Sequence, residues 1–116
     1  MHDIHKIYCN DIGISFFWKQ DKPQQFSKIQ VVFKDIGFLL TIAELKVFLS
    51  HCSTTYQSQC CHSCSNKECR SLLLRTPSDN IDLAVSQHEL EHIQELIRST
   101  LFKATLTDWM QNICQN

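Results

Sequence analysis

No basic cluster occurs in this chain. Lysines and arginines stand singly (Lys6, Lys19, Lys34, Lys46, Arg75, Arg98), and the formal net charge is −1. A nucleic-acid ligand needs a basic face to displace counterions, and an anionic membrane surface asks for the same, so neither partner is expected. No apolar run approaches the ~20 residues of a membrane-spanning helix. His2, Asp3, His5 and Lys6 interrupt the start before a secretion signal's apolar region can form. A cytoplasmic setting is the resulting expectation. Glycine and proline are scarce, at two each, and Gly13 and Gly37 both fall where turns are expected. There is no glycine-rich phosphate loop, so nucleotide chemistry has no support.

What remains is an ordinary globular composition, 43% hydrophobic and 20% charged, which suits one domain with one core over 116 residues. An N-terminal hairpin is expected over 4–19, with Asn10-Asp11-Ile12-Gly13 as its turn, followed by a polar loop at 21–25. Ile29, Val31 and Phe33 alternate with Gln30, Val32 and Lys34, the period of a half-buried strand. Lys34-Asp35-Ile36-Gly37 reads as the next turn, and Phe38 to Leu40 as the returning strand. A helix follows. Thr41 and Glu44 have capping-box spacing, and Ile42, Leu45, Leu49, Cys52 and Tyr56 form one apolar stripe with Phe48 on its edge.

The same grammar returns after a cysteine-rich connector at 57–69. Arg70 to Thr76 reads as a strand, Pro77-Ser78-Asp79-Asn80 as a turn, and Ile81 to Val85 as a strand. Ser86 and Glu89 make a second capping box, and Leu90, Ile93, Leu96, Ile97 and Leu101 line the helix behind it. The fold class expected is therefore α+β: antiparallel β-hairpins with two main helices from a duplicated ββα unit (28–56 and 70–103). A short C-terminal helix over 106–114 then offers Trp109, Met110 and Ile113 to the core. Packing the two units together closes one core.

The stretches IQVVFKDIGFLLTIAELKVFL and SLLLRTPSDNIDLAVSQHELEHIQELI resemble a family of short uncharacterised bacterial proteins, a domain of unknown function. The resemblance covers roughly residues 28–110 and rests on the hydrophobic hairpin, the acidic capping residue and the Thr-Pro turn. It implies a fold and a cytoplasmic setting, and it lends no activity. The family pattern does not call for cysteines at 60–69.

Seven cysteines are present, an odd number that no closed set of intramolecular bridges satisfies. In a reducing compartment, metal binding or plain burial is the alternative. Cys61 and Cys64 have C-x-x-C spacing, which lets two thiolates meet one ion from a tight turn. Cys69 is a candidate third ligand, and Cys60, His62 or His51 a fourth, for a tetrahedral zinc. Cys52 falls on the helix stripe and reads as a small core residue. The competing interpretation is a polar excursion that accumulated thiols, since a second C-x-x-C is missing. The terminal His2, His5 and Cys9 are weaker metal candidates still.

His88-Glu89-Leu90-Glu91-His92 matches the zinc-peptidase motif, in which two imidazoles one helical turn apart hold the metal and the glutamate activates water. Against it, Glu89 is needed by the capping box. Both histidines also lie opposite the apolar stripe, and they occupy the helix's first turns. A solvated helix face is the better expectation.

In Ile14-Ser15-Phe16-Phe17-Trp18, the residues Ile14, Phe16 and Trp18 share one face and Phe17 lies on the other, taken as the outer one. An aromatic there asks for cover from a loop, from the last helix or from a second subunit. Taken together, the sequence points to a non-enzymatic domain acting through a homodimer or a protein partner. A zinc module on Cys60, Cys61, Cys64 and Cys69 is the alternative, and a metal-dependent hydrolase through His88, Glu89 and His92 the distant one.

Overall fold

The computed structural model describes residues 4–18, 28–57, 69–70 and 72–114, the last eight of these as helix backbone. The chain is α+β. An antiparallel meander of four strands is made by β1 (Ile4–Cys9), β2 (Gly13–Trp18), β3 (Ile29–Phe33) and β4 (Ile36–Leu40), paired in that order. Helix α1 (Ile42–Gln57) follows, then a separate two-stranded sheet of β5 (Leu72–Arg75) and β6 (Asp82–Val85), and finally α2 (Gln87–Cys114). The order hairpin then helix thus occurs twice, but the second hairpin forms a sheet of its own. It is β5 that packs on α1, while α2 runs beside α1 and across β1 and β2.

Both helices begin where the expected hydroxyl stands. The Thr41 amide donates to Glu44 Oε1 at 2.8 Å, and the Glu44 amide donates to Thr41 Oγ1 at 3.1 Å. The Ser86 amide donates to Glu89 Oε1 at 2.9 Å, and the Glu89 amide to Ser86 Oγ at 3.0 Å. Each box satisfies two orphan amides of a helix start, which is why the helices begin there.

One cluster of buried side chains joins every element except the solvent side of β1. Ile29, Val31 and Phe33 from β3 meet Leu45, Phe48 and Cys52 from α1, Leu74, Leu83 and Val85 from the small sheet, and Leu90, Ile93, Leu96, Ile97 and Ala104 from α2. Phe48 is fully buried rather than on the edge of the α1 stripe, meeting Phe38 edge-on and Phe33 at a tilt in a cluster of three rings. Tyr56, expected on that stripe, is exposed.

Three expectations are corrected. Gly37 is not a turn residue: it lies within β4, paired with Val32. The turn is made by Lys34 and Asp35, with φ of 54° and 74°. Two consecutive left-handed residues match the twist of a two-residue hairpin, a job usually given to Asn-Gly. Lys34 is tied to β6, its Nζ donating to the Ala84 carbonyl at 2.8 Å.

There is also no separate C-terminal helix, because α2 continues without a break through Cys114. Nothing between Lys103 and Asp108 carries the glycine or proline that stops a helix. The placement of Trp109, Met110 and Ile113 against the core lies outside the described side chains.

The third correction concerns β2. Phe17, expected on the outer side, is buried in the core at 5% exposure. Beside it Ser15 Oγ lies 2.6 Å from Thr100 Oγ1 on α2, a hydroxyl pair fully out of water. The strand therefore turns Ser15 and Phe17 towards α2. Ile14, Phe16 and Trp18 take the outer face.

Candidate functional site

The HExxH motif occupies the first two turns of α2, and its parts are bound up in local structure. Glu89 holds the capping box and also two ion pairs, with Lys34 Nζ at 3.4 Å and Arg70 at 3.1 Å. Burial pushes its carboxyl up, but the Ser86 amide, Arg70 and Lys34 outweigh that and hold it below the usual value. A carboxylate so stabilised is a weak base. His92 Nδ1 lies 2.9 Å from the His88 carbonyl, a bond the ring makes by donating. The two imidazoles sit side by side with centroids 4.4 Å apart.

These rings do not point simply into bulk water. They border a hollow of about 210 Å³ shared with Asp11 and Ile12 of the β1–β2 turn. That turn is docked onto α2 by Asn10, whose Nδ2 donates to the His92 carbonyl at 2.9 Å and to Glu95 Oε1 at 2.9 Å. Asn10 Oδ1 accepts from the amides of Ile12 and Gly13, so one side chain both closes the turn and clamps it. Tyr8 donates its hydroxyl to Glu95 at 3.0 Å, and Lys103 covers the Tyr8 ring. The bonds from Asn10 and Tyr8 hold the Glu95 carboxyl below its ordinary value. This network fastens the first hairpin to the helix, and the sequence reading missed it. A turn over residues 10–13 was legible; the bond from Asn10 to a partner 85 residues away was not.

Of the zinc candidates, Cys60, Cys61, Cys64 and His62 lie outside the described residues. Cys69 is described, reduced and exposed. His51 bonds through Nδ1 to the Arg75 carbonyl at 3.0 Å. Cys52 is fully buried, and loss of water pushes its thiol up to about 12. Among the described residues, no three His, Cys, Asp or Glu side chains are grouped to hold a metal ion. Nor, among them, is any helix long and apolar enough to cross a membrane.

Two apolar surfaces stand out instead. The register places Ile4, Phe16, Trp18, Ile14, Val32 and Leu39 on the outer face of the four-stranded sheet, where Ile4, Trp18 and Leu39 stay more than a third exposed. On α2, Phe102 is 67% and Leu106 45% exposed. They border a groove of about 430 Å³ with Leu101, Thr105 and Lys46 of α1. The signal for this second surface was present in the spacing of residues 102 and 106. Ending the helix near 103 concealed it.

Compared with family models, curated proteins and solved structures, the chain shows no match.

Proposed function

We propose that this protein is a non-enzymatic contact module that works through self-association or a protein partner. The observation that carries this reading is the exposure of large apolar side chains in two groups, the outer sheet face and the back of α2. Scattered surface hydrophobes need no explanation, but contiguous ones cost solubility unless something covers them. The groups best suited to hydrolytic chemistry are meanwhile engaged: Glu89 in a cap and two ion pairs, His92 with its own helix. The repeated order of hairpin, capping box and helix also supports an origin of residues 28–56 and 70–103 by duplication. Light scattering over a wide concentration range, combined with cross-linking in the cells that make the protein, tests the contact reading. A chain that is monomeric in the first and uncross-linked in the second sinks it.

Zinc binding by Cys60, Cys61, Cys64 and Cys69 is a second reading, supported by their spacing and by the exposed Cys69 thiol. A thiol reagent on the native protein separates the cases. Cys9 should react fast and Cys52 not at all, because its thiolate is disfavoured and its sulfur is shielded. Bound zinc protects Cys69 until a chelator is added. Rapid labelling of Cys69 in metal-replete protein removes the zinc reading.

A further inference from the structure

His88 and His92 stand one turn apart on α2, and side chains at that spacing share a helix face. Their rings lie side by side, with centroids 4.4 Å apart and planes inclined by 49°. Across from them is the β1–β2 turn. Asp11 and Ile12 line the same hollow of about 210 Å³ as the two rings and Glu89. Asn10 fastens that turn to the His92 carbonyl and to Glu95, so both sides of the hollow are held at a set spacing.

The rings are set up as ligands. His92 Nδ1 lies 2.9 Å from the His88 carbonyl, which can only accept. That nitrogen therefore carries the proton, and Nε2 of the neutral ring keeps its lone pair. A metal-ligating histidine is held in the same way, its other ring nitrogen donating to a carbonyl. His88 is exposed, so its ring is open to an ion. Two imidazoles meeting one ion at ~2.0–2.1 Å and ~90–110° have centroids roughly 4.5–5.2 Å apart, close to the spacing observed. Against the site stands the partial positive charge of a helix start. Asp11 on the hollow, and Glu95 beside His92, supply the opposite sign.

We propose that His88 and His92 bind one borderline divalent cation, zinc or its neighbours copper and nickel, between α2 and the β1–β2 turn. Imidazole nitrogen suits these ions, whereas magnesium and calcium take oxygen donors. Among the described residues no third side chain is grouped with the pair, so water completes the shell. Asp11 then accepts a hydrogen bond from one of those waters across the hollow, and the ion reinforces the clamp made by Asn10. Glu89 takes no part, being committed to Ser86, Arg70 and Lys34. Without that base the site joins two elements through an ion and does not repeat the hydrolytic reading of the motif. It is independent of the contact reading and of the cysteines at 60–69.

The test is a titration of zinc chloride into the untagged, metal-free full chain, followed by NMR of the histidine ring nitrogens. That readout sees the imidazoles directly and does not respond to zinc held by thiolates alone. The His88 and His92 ring signals should move together and saturate below millimolar zinc at one equivalent, and magnesium should leave them in place. His88→Ala and His92→Ala replace surface side chains and should fold, as circular dichroism checks. Each should weaken zinc binding at the remaining ring at least roughly ten-fold, the lower end of the loss on removing an outer-shell partner. Asp11→Ala should weaken it by about ten-fold. The double change Cys61→Ser and Cys64→Ser should leave the histidine response as it is in the wild type. Ring signals that stay still, or that move only at millimolar zinc, overturn the site. A response at one ring that survives loss of the other overturns the pair as a chelate, and full affinity in Asp11→Ala overturns the part assigned to the turn.

Discussion

Phe17→Ser is expected to lower the stability of this chain by about 3–5 kcal/mol, the range for removing a buried phenylalanine. Phe17 is 5% exposed and belongs to the cluster shared by β3, α1 and α2. The serine would leave a cavity and add a hydroxyl with no assured partner, beside the Ser15–Thr100 pair that is already satisfied. Against a typical total of about 5–15 kcal/mol, such a loss leaves a protein marginal at 37 °C. Leu39→Ser, on the half-exposed outer face, should shift stability by less than about 1 kcal/mol. Urea unfolding of the two variants gives both numbers. If Phe17→Ser unfolds at the wild-type midpoint, then β2 has the opposite facing and the outer aromatic is Phe17.

The facing of β2 was the part of the fold that alternation cannot settle. Ile14, Phe16 and Trp18 are apolar on one side, and Phe17 on the other, so hydrophobicity alone favours the wrong side by three to one. Ser15 decides it. A buried serine is tolerable only with a partner, and Thr100, 85 residues later, is that partner. Signals confined to a few residues were legible: both capping boxes, the alternation of β3, and the α2 stripe from Leu90 to Ile97. The β3–β4 turn was misplaced for a related reason. Glycine normally supplies positive φ, and here Lys34 and Asp35 supply it, with Lys34 held by distant contacts to Ala84 and Glu89. The continuity of α2 was hidden because Thr107 and Asp108 look like a fresh helix start, while the sequence supplies nothing that ends the old one. For the candidate sites, the HExxH spacing was visible at once. What it could not reveal was that Arg70 and Lys34 converge on its glutamate.

That convergence makes Glu89 the most consequential charged residue described. Its carboxylate accepts from the Ser86 amide, pairs bidentately with Arg70 and meets Lys34, whose other bond pins the left-handed turn to β6. It therefore ties the helix start, the segment entering β5 and the β3–β4 hairpin to one point. Glu89→Ala should cost about 2–3 kcal/mol, combining a lost cap with charge-assisted bonds that leave Lys34 and Arg70 unmatched. Thr41→Ala, which breaks the exposed box of α1, should cost only about 1 kcal/mol. Glu89→Gln should fall between the alanine variant and the wild type, since a glutamine can still cap but cannot neutralise two cations. The pH dependence has a fixed sign. A carboxyl held below its ordinary value of 4.5 contributes stability that is complete above that pH and is lost as pH falls through the lower folded value. Wild type should therefore lose stability more steeply than Glu89→Gln as pH falls below about 4.5. Parallel acid limbs would show that the ion pairs contribute nothing, and would release Glu89 for the catalytic role its motif suggests.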